Sequence, residues 1–228
     1  MKTYDMRVRI TLLEGLLGTS SNDKEVYSNF IGSKAPDAPT MEEEIAGIGT
    51  DAFEEKTTTV FHRLEDGTPI IYDYQIRGFF KESCGALNRL VGKDENGKKK
   101  KSDTESSKIT AHKKVVDQLI FVKPRKIPLK INGEINKVQR PLRAQTAQGE
   151  RVALASSEMA PAGTTIEFTV KCLSAEHIPA VREWLDYGYW HGLGQWRNSG
   201  AGSFVWEELD ENGKVIGGNK AEMEELSA

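Results

Sequence analysis

The run from Thr165 to Leu209 restricts the fold more than any other part of this chain. Between Thr165 and Leu173, Ile166, Phe168, Val170 and Cys172 alternate with charged or hydroxyl residues, the period of two that a half-buried strand requires. Ser174 then reads as an N-cap with Glu176 in the first turn, and Ile178, Val181, Trp184 and Leu185 form the apolar face of a helix reaching to Gly188. A glycine-rich loop from Gly192 to Gly202 follows, and Ser203–Leu209 reads as a second strand. A strand, a helix and a strand in this order place the helix across one face of a sheet.

The loop, Gly192-Leu193-Gly194-Gln195-Trp196-Arg197-Asn198-Ser199-Gly200-Ala201-Gly202, carries two Gly-x-Gly pairs around one arginine and one tryptophan. Glycine takes positive φ and lets backbone approach a neighbouring surface, so such a run offers amide N–H groups to an anion. Arg197 supplies a bidentate cation and Trp196 a stacking face, which suits single-stranded nucleic acid better than a mononucleotide. The spacing matches neither the GxxxxGK[ST] phosphate loop nor a dinucleotide-binding turn. A tight connection that only needs positive φ is the competing explanation.

Upstream, Met6–Leu13 alternates Val8, Ile10 and Leu12 with Arg7, Arg9 and Thr11 and predicts a strand with one core face and one basic face. Residues 18–55 read as an insertion, polar and Pro-containing to Pro39, with a helical candidate at Met41–Ala46. Strands Lys56–Leu64 and Ile70–Tyr74 turn at Asp66-Gly67, and Gln75–Leu90 predicts a helix with Ile76, Phe79, Phe80, Leu87 and Leu90 apolar, weakened by Gly78 and Gly85. A second insertion, 92–107, contains Lys98, Lys99, Lys100 and Lys101 and reads as a mobile, solvated loop. Ser107–Gln118 predicts a helix, Leu119–Val122 a strand, and further strands run to Ala155 with a hairpin turn at Asn132-Gly133 and edge positions for Pro128 and Pro141. Gly217–Ala228 reads as a flexible tail. This order is that of one α+β domain over 1–216, a ferredoxin-like (RRM-like) β-α-β core with insertions and an antiparallel sheet.

A net charge of −3 over 228 residues argues against a protein coated in basic charge, so any nucleic-acid contact has to be a local groove. Cys84 and Cys172 fall in apolar patterns and read as buried thiols in a reducing, cytoplasmic compartment. No apolar run reaches membrane-spanning length and Met1–Asp5 has no signal-peptide core, so no membrane partner is expected. His62, His112, His177 and His191 are not spaced as metal ligands on one element, and neither a metal nor a cofactor is expected. For catalysis the candidates are His191, next to the loop, and His62, with Arg197 as the cation for a developing phosphorane charge. A histidine that only packs near a helix end is the plainer explanation for His191. Asp23, Asp37 and Asp51 lie in loop-like segments where a carboxylate could serve cleavage, and nothing singles one out.

Three segments resemble the RAMP superfamily of CRISPR-associated RNA-binding proteins, particularly the subunits that form a backbone along guide RNA. Arg7-Val8-Arg9-Ile10-Thr11-Leu12-Leu13 with Gly15 and Gly18 looks like that family's first strand and loop. Ile76-Arg77-Gly78-Phe79-Phe80-Lys81-Glu82 is similar to the start of its first long helix, although the usual Pro-Gly-Ser before it is Asp73-Tyr74-Gln75 here. Gly192 to Gly202 matches the family's glycine-rich loop. The resemblance implies RNA contacts at Arg77, Lys81, Gly194, Arg197 and Gly200.

The function these features support is a single-stranded RNA-binding subunit of a CRISPR-type ribonucleoprotein, or a stand-alone relative. Amides of the loop bearing Gly192, Gly194, Gly200 and Gly202, with Arg77, Lys81 and Arg197, hold phosphates, Trp196 stacks a base, and Lys98–Lys101 add phosphate contacts without reading bases. Partners are guide RNA and other subunits or further copies of the chain. Two alternatives stand beside it: a metal-independent endoribonuclease processing CRISPR RNA, and a phage or mobile-element interaction protein mimicking a CRISPR subunit, which the acidic net charge favours.

Overall fold

Alternation decides the centre of the sheet. In the computed structural model, which describes residues 2–21, 58–93, 98–146 and 149–227, Met6, Val8, Ile10 and Leu12 of β1 (Tyr4–Leu12) are each at most 2% exposed. β2 (Pro69–Tyr72) runs directly into α1 (Asp73–Leu87), and α2 (His112–Leu119) into β3 (Ile120–Lys123), which β4 (Lys126–Lys130) follows. β5 (Asn136–Thr146) and β6 (Gly149–Ala160) make a long hairpin before β7 (Thr165–Cys172), α3 (Ile178–His191) and β8 (Phe204–Leu209). β9 (Val215–Gly218) and α4 (Lys220–Ser227) close the described chain. Met41–Ala46, Asp23, Asp37, Asp51 and most of the insertion 18–55 lie outside the described residues.

β1 pairs antiparallel with β7, from Tyr4↔Cys172 to Thr11↔Thr165, and with β8 on its other side. β7 in turn pairs antiparallel with both β3 and β4. The order β8-β1-β7-β3/β4, with α1 and α3 as crossovers, is the β-α-β-β-α-β ferredoxin-like arrangement the sequence predicts. β9 extends one edge, and β2 with His62–Arg63 extends the other. A second sheet joins β5, β6, Thr59–Val60 and Ser20–Ser21, with Leu16–Leu17 also on β6.

The helical spacing of Ile76, Phe79, Phe80 and Cys84 on α1, and of Val181, Trp184 and Leu185 on α3, buries one stripe of each helix in the core cluster with β1 and β7. Each such side chain contributes roughly 1.5–3 kcal/mol of burial. Gln75 accepts from the Tyr72 amide at 2.7 Å, which satisfies a donor at the α1 N-terminus. Cys84 and Cys172 are fully buried, and burial pushes the Cys172 thiol up to about 11. No helix of the described residues is long and apolar enough to cross a membrane.

Several expectations are corrected. The sheet face predicted to be basic is partly paired: Arg9 meets Glu167 of β7 at 3.0 Å and Glu207 of β8 at 3.8 Å, Lys130 meets Glu167 at 2.9 Å, Lys171 of β7 pairs with Asp5 of β1, and Arg7 donates to the carbonyls of Asp210 and Glu211. α1 ends at Leu87, leaving Leu90 47% exposed. The lysine run is not a loop, since Lys99–Lys101 pairs with Val91–Lys93 as a hairpin that satisfies its backbone. Downstream, Glu183 of α3 accepts from the amides of Glu105 and Ser106 at 2.8 and 2.9 Å and so fixes a 3-10 turn, Glu105–Lys108. The helix predicted over Ser107–Gln118 is divided at Ala111, which takes φ 52. Asn132-Gly133 joins strands of different sheets, and Pro128 lies inside its sheet opposite Ile70; only Pro141 is on an edge strand. The tail predicted to be flexible from Gly217 continues the sheet as β9, and the Asn219 side chain accepts from the Trp206 amide at 3.0 Å before α4 begins.

Candidate nucleic-acid interface

The glycine loop is closed by its own hydrogen bonds. The amides of Gly192, Leu193, Gly200, Gly202 and Ser203 donate to the carbonyls of Gly188, Gly202, Arg197, Gly15 and Gly200. The expectation of a free amide run is thereby corrected. Gly192 and Gly202 are required by the closure: both take φ +73, and a Cβ would stand 2.6 Å from the Ala201 carbonyl oxygen on the first and 2.0 Å from that of Leu193 on the second. The amides of Gly194, Gln195 and Trp196 meet no acceptor among the described residues. Gly200 faces open space at φ +88.

Arg197 is paired as well. Its guanidinium bonds to Glu82 of α1, and Nη1 donates to His191 Nε2 at 2.7 Å. The Arg197 hydrogen bond holds the Glu82 carboxyl below the usual carboxylate range. Burial, then the Arg197 charge, push His191 down, which agrees with a neutral ring whose Nε2 accepts. Arg77 lies between Asp73 at 3.6 Å and Asp117 at 4.0 Å, and Lys81 meets Asp117 at 2.5 Å. The cations of these pairs are part-buried, Arg77 at 24% and Arg197 at 25% exposure, while Asp117 and Glu82 are about half exposed.

Two clefts meet at Glu82 and Arg197, which line both. The larger, about 560 Å³, has Lys81, Arg89, Lys113, His112 and His191 around it, with Glu82 the only acid among its lining residues. Lys113 and Arg89 belong to no motif and are not legible as site residues in the sequence; the fold brings the start of α2 beside the end of α1. The smaller cleft, about 200 Å³, lies between α1 and the loop, with Leu16, Leu17, Phe61, Ile71, Phe79 and Leu193 as its apolar walls and His62, Gln75 and Gln195 as polar ones. Arg77 lines neither cleft, and Lys98 is exposed at the turn end of the hairpin, next to the Lys93–Lys99 pair.

The aromatic side chains divide sharply. Trp184 and Trp206 are core, whereas Trp196 is 45% and Trp190 75% exposed. The Arg140 guanidinium of β5 lies 5.1 Å from the centre of the Trp196 ring, and its Nη2 donates to Gln195 Oε1 at 3.2 Å. Tyr72 and Tyr74 stack at 5.3 Å, and His62 meets Tyr72 edge-on at 4.9 Å. Sequence reading missed both groupings; the only trace of the second is two tyrosines flanking Asp73 at the helix start. The two candidate catalytic histidines are separated by task, His191 held by Arg197 and His62 on the apolar cleft.

No protein-family model and no curated protein sequence matches the chain. Among solved structures it is similar to a chain of one described as "Cryo-EM structure of the Type III-B Cmr-beta bound to cognate target RNA", at 14% identity and a TM-score of 0.49. The alignment covers 92% of this chain and 61% of that one, so the present chain spans about three fifths of its length. The ferredoxin-like strand order stands on the backbone pairing described above.

Proposed function

We propose that this chain holds single-stranded RNA by its phosphate backbone in the groove over α1, as a subunit of a CRISPR-type ribonucleoprotein or a stand-alone relative of the RAMP proteins its glycine loop resembles. The supporting observation is the larger cleft: on a chain of net charge −3, it gathers Lys81, Arg89, Lys113 and Arg197 around a single carboxylate. Phosphates exchange with Asp117 at Lys81 and with Glu82 at Arg197, while Lys113 and Arg89 are exposed. The paired strands Val91–Lys93 and Lys99–Lys101 begin just past Arg89. Trp196 and Tyr74 offer exposed stacking faces. Guide RNA and further subunits or copies are the partners this reading assigns.

The test is fluorescence-anisotropy titration of labelled single-stranded RNA and matched DNA with wild type and Lys113→Ala over a range of salt. RNA is bound more tightly than DNA, log K falls linearly with log salt, and the variant's slope is shallower by about 0.7, one phosphate contact. A salt-independent affinity, or no binding by folded protein, refutes the reading and leaves an interaction protein ahead. RNA shortened during the titration moves the assignment to a ribonuclease.

A further inference from the structure

We infer that the smaller cleft takes one unstacked nucleobase of the bound strand, an inference that rests on the RNA reading and adds a base-reading point to a backbone grip. Its volume of about 200 Å³ is below the roughly 300–1,000 Å³ of sites for drug-sized ligands, room for one ring system and not for a nucleoside triphosphate. Leu16, Phe61, Ile71, Phe79 and Leu193 of the core make its apolar walls, against which a planar ring packs, with Gln75, Gln195 and Glu82 as polar groups at its margin.

Gly78 is the residue that keeps the cleft open. It lies in the interior of α1, where glycine is destabilising relative to alanine. Its φ is not positive, and a Cβ there would meet nothing within 4 Å among the described residues. Neither backbone conformation nor close packing calls for glycine at this position; its effect is to leave space in the cleft lining.

Gln75 and Glu82 lie one turn to either side on the same helix face. Gln75 is held at both ends of its amide, accepting from the Tyr72 amide and donating to Thr19 Oγ1 at 3.0 Å, so it fixes the wall. Glu82 gives Oε2 to Arg197, and no donor among the described residues meets its Oε1. That oxygen accepts from an exocyclic base amine, which adenine, guanine and cytosine carry and uracil lacks. Because Glu82 and Arg197 line both clefts, a base enters the apolar one while its phosphates stay beside Lys81 and Lys113.

The experiment compares three labelled single strands of equal length on the full chain: mixed-sequence RNA, all-uridine RNA, and RNA with abasic sugars at alternate positions. Wild type binds the mixed strand about tenfold more tightly than the abasic one, with all-uridine between them. Gly78→Leu, which fills the cleft, melts no lower than wild type, binds abasic RNA as wild type does, and loses most of the preference for the mixed strand. Gly78→Met is the second filling variant, unbranched and favourable to helix. Equal binding of intact and abasic RNA overturns the base pocket and leaves the backbone grip standing. A preference that survives filling in a folded variant overturns the pocket as well, assigning the bases to exposed stacking. No binding to any strand overturns both.

Discussion

Alanine at Gly202 and at Gly200 separates closure of the loop from its surface chemistry. Both glycines are left-handed, at φ +73 and +88, so either alanine costs roughly 1–2 kcal/mol in conformation. At Gly200 the added Cβ meets nothing within 4 Å. The lower entropy of the unfolded chain offsets part of that loss, leaving a net cost of about 1 kcal/mol. At Gly202 the Cβ would stand 2.0 Å from the Leu193 carbonyl oxygen, a backbone atom that cannot rotate away. The loop has to open, and the Gly202 amide bond to Gly15 at 3.0 Å and the Leu193 amide bond to Gly202 at 2.8 Å open with it. Each lost bond adds roughly 0.5–1.5 kcal/mol, for a total of about 3 kcal/mol. Urea unfolding followed by tryptophan fluorescence reads both variants, because Trp184 and Trp206 are buried. Gly200→Ala also keeps wild-type RNA affinity, since its amide is already bonded to Arg197. Equal midpoints for the two variants would refute the closed loop.

The arginine bridge gives a pH signature: in wild type, NMR titration places His191 below the ordinary imidazole range, and Arg197→Met moves it up as a repelling charge is removed. An unmoved titration contradicts the contact. Both His191 and Glu82 are shifted down, so their contributions to stability are present above their unfolded pKa values and lost as pH falls through the folded ones, His191 first. At the far end of the helices, Glu183→Ala removes the acceptor for two amides and the Ser106 hydroxyl, and is expected to cost about 3 kcal/mol in urea unfolding; a midpoint within error of wild type would show that the 3-10 turn holds without it.

The central fold was legible because its residues alternate with the period of the element they form. Ile166 to Cys172 and Val8 to Leu12 declare their inward faces without reference to partners, and Ser174 marks the start of the helical segment that leads into α3. The additions at the sheet margins were not legible for an equally physical reason. β9 contains the exposed Val215 and Ile216 followed by two glycines, a composition with no inward face, and exists as a strand because β8 supplies hydrogen bonds. The lysine hairpin is the same case, a strand made by pairing where composition predicts only solvation.

The site divides along the same line. A glycine motif names the backbone positions where a side chain is forbidden, and it located the loop; it cannot say whether the freed surface faces a ligand or another part of the chain. At Gly192 and Gly202 it faces the chain, while Gly194, Gln195 and Trp196 keep amides that the closure does not use. Charge is subject to the same ambiguity: Arg77 has Asp73 one turn away on its own helix, whereas Lys81 and Arg197 acquire carboxylates only when α1, α2 and the loop are brought together. What remains uncommitted comes from residues to which no motif assigned a contact: Lys113 and Arg89 beside the groove, and Gly78 in a helix where glycine has no conformational task. Gly78 is informative because local structure does not require it, and a helix that gives up stability at one position while lining a cleft points to an occupant for that cleft.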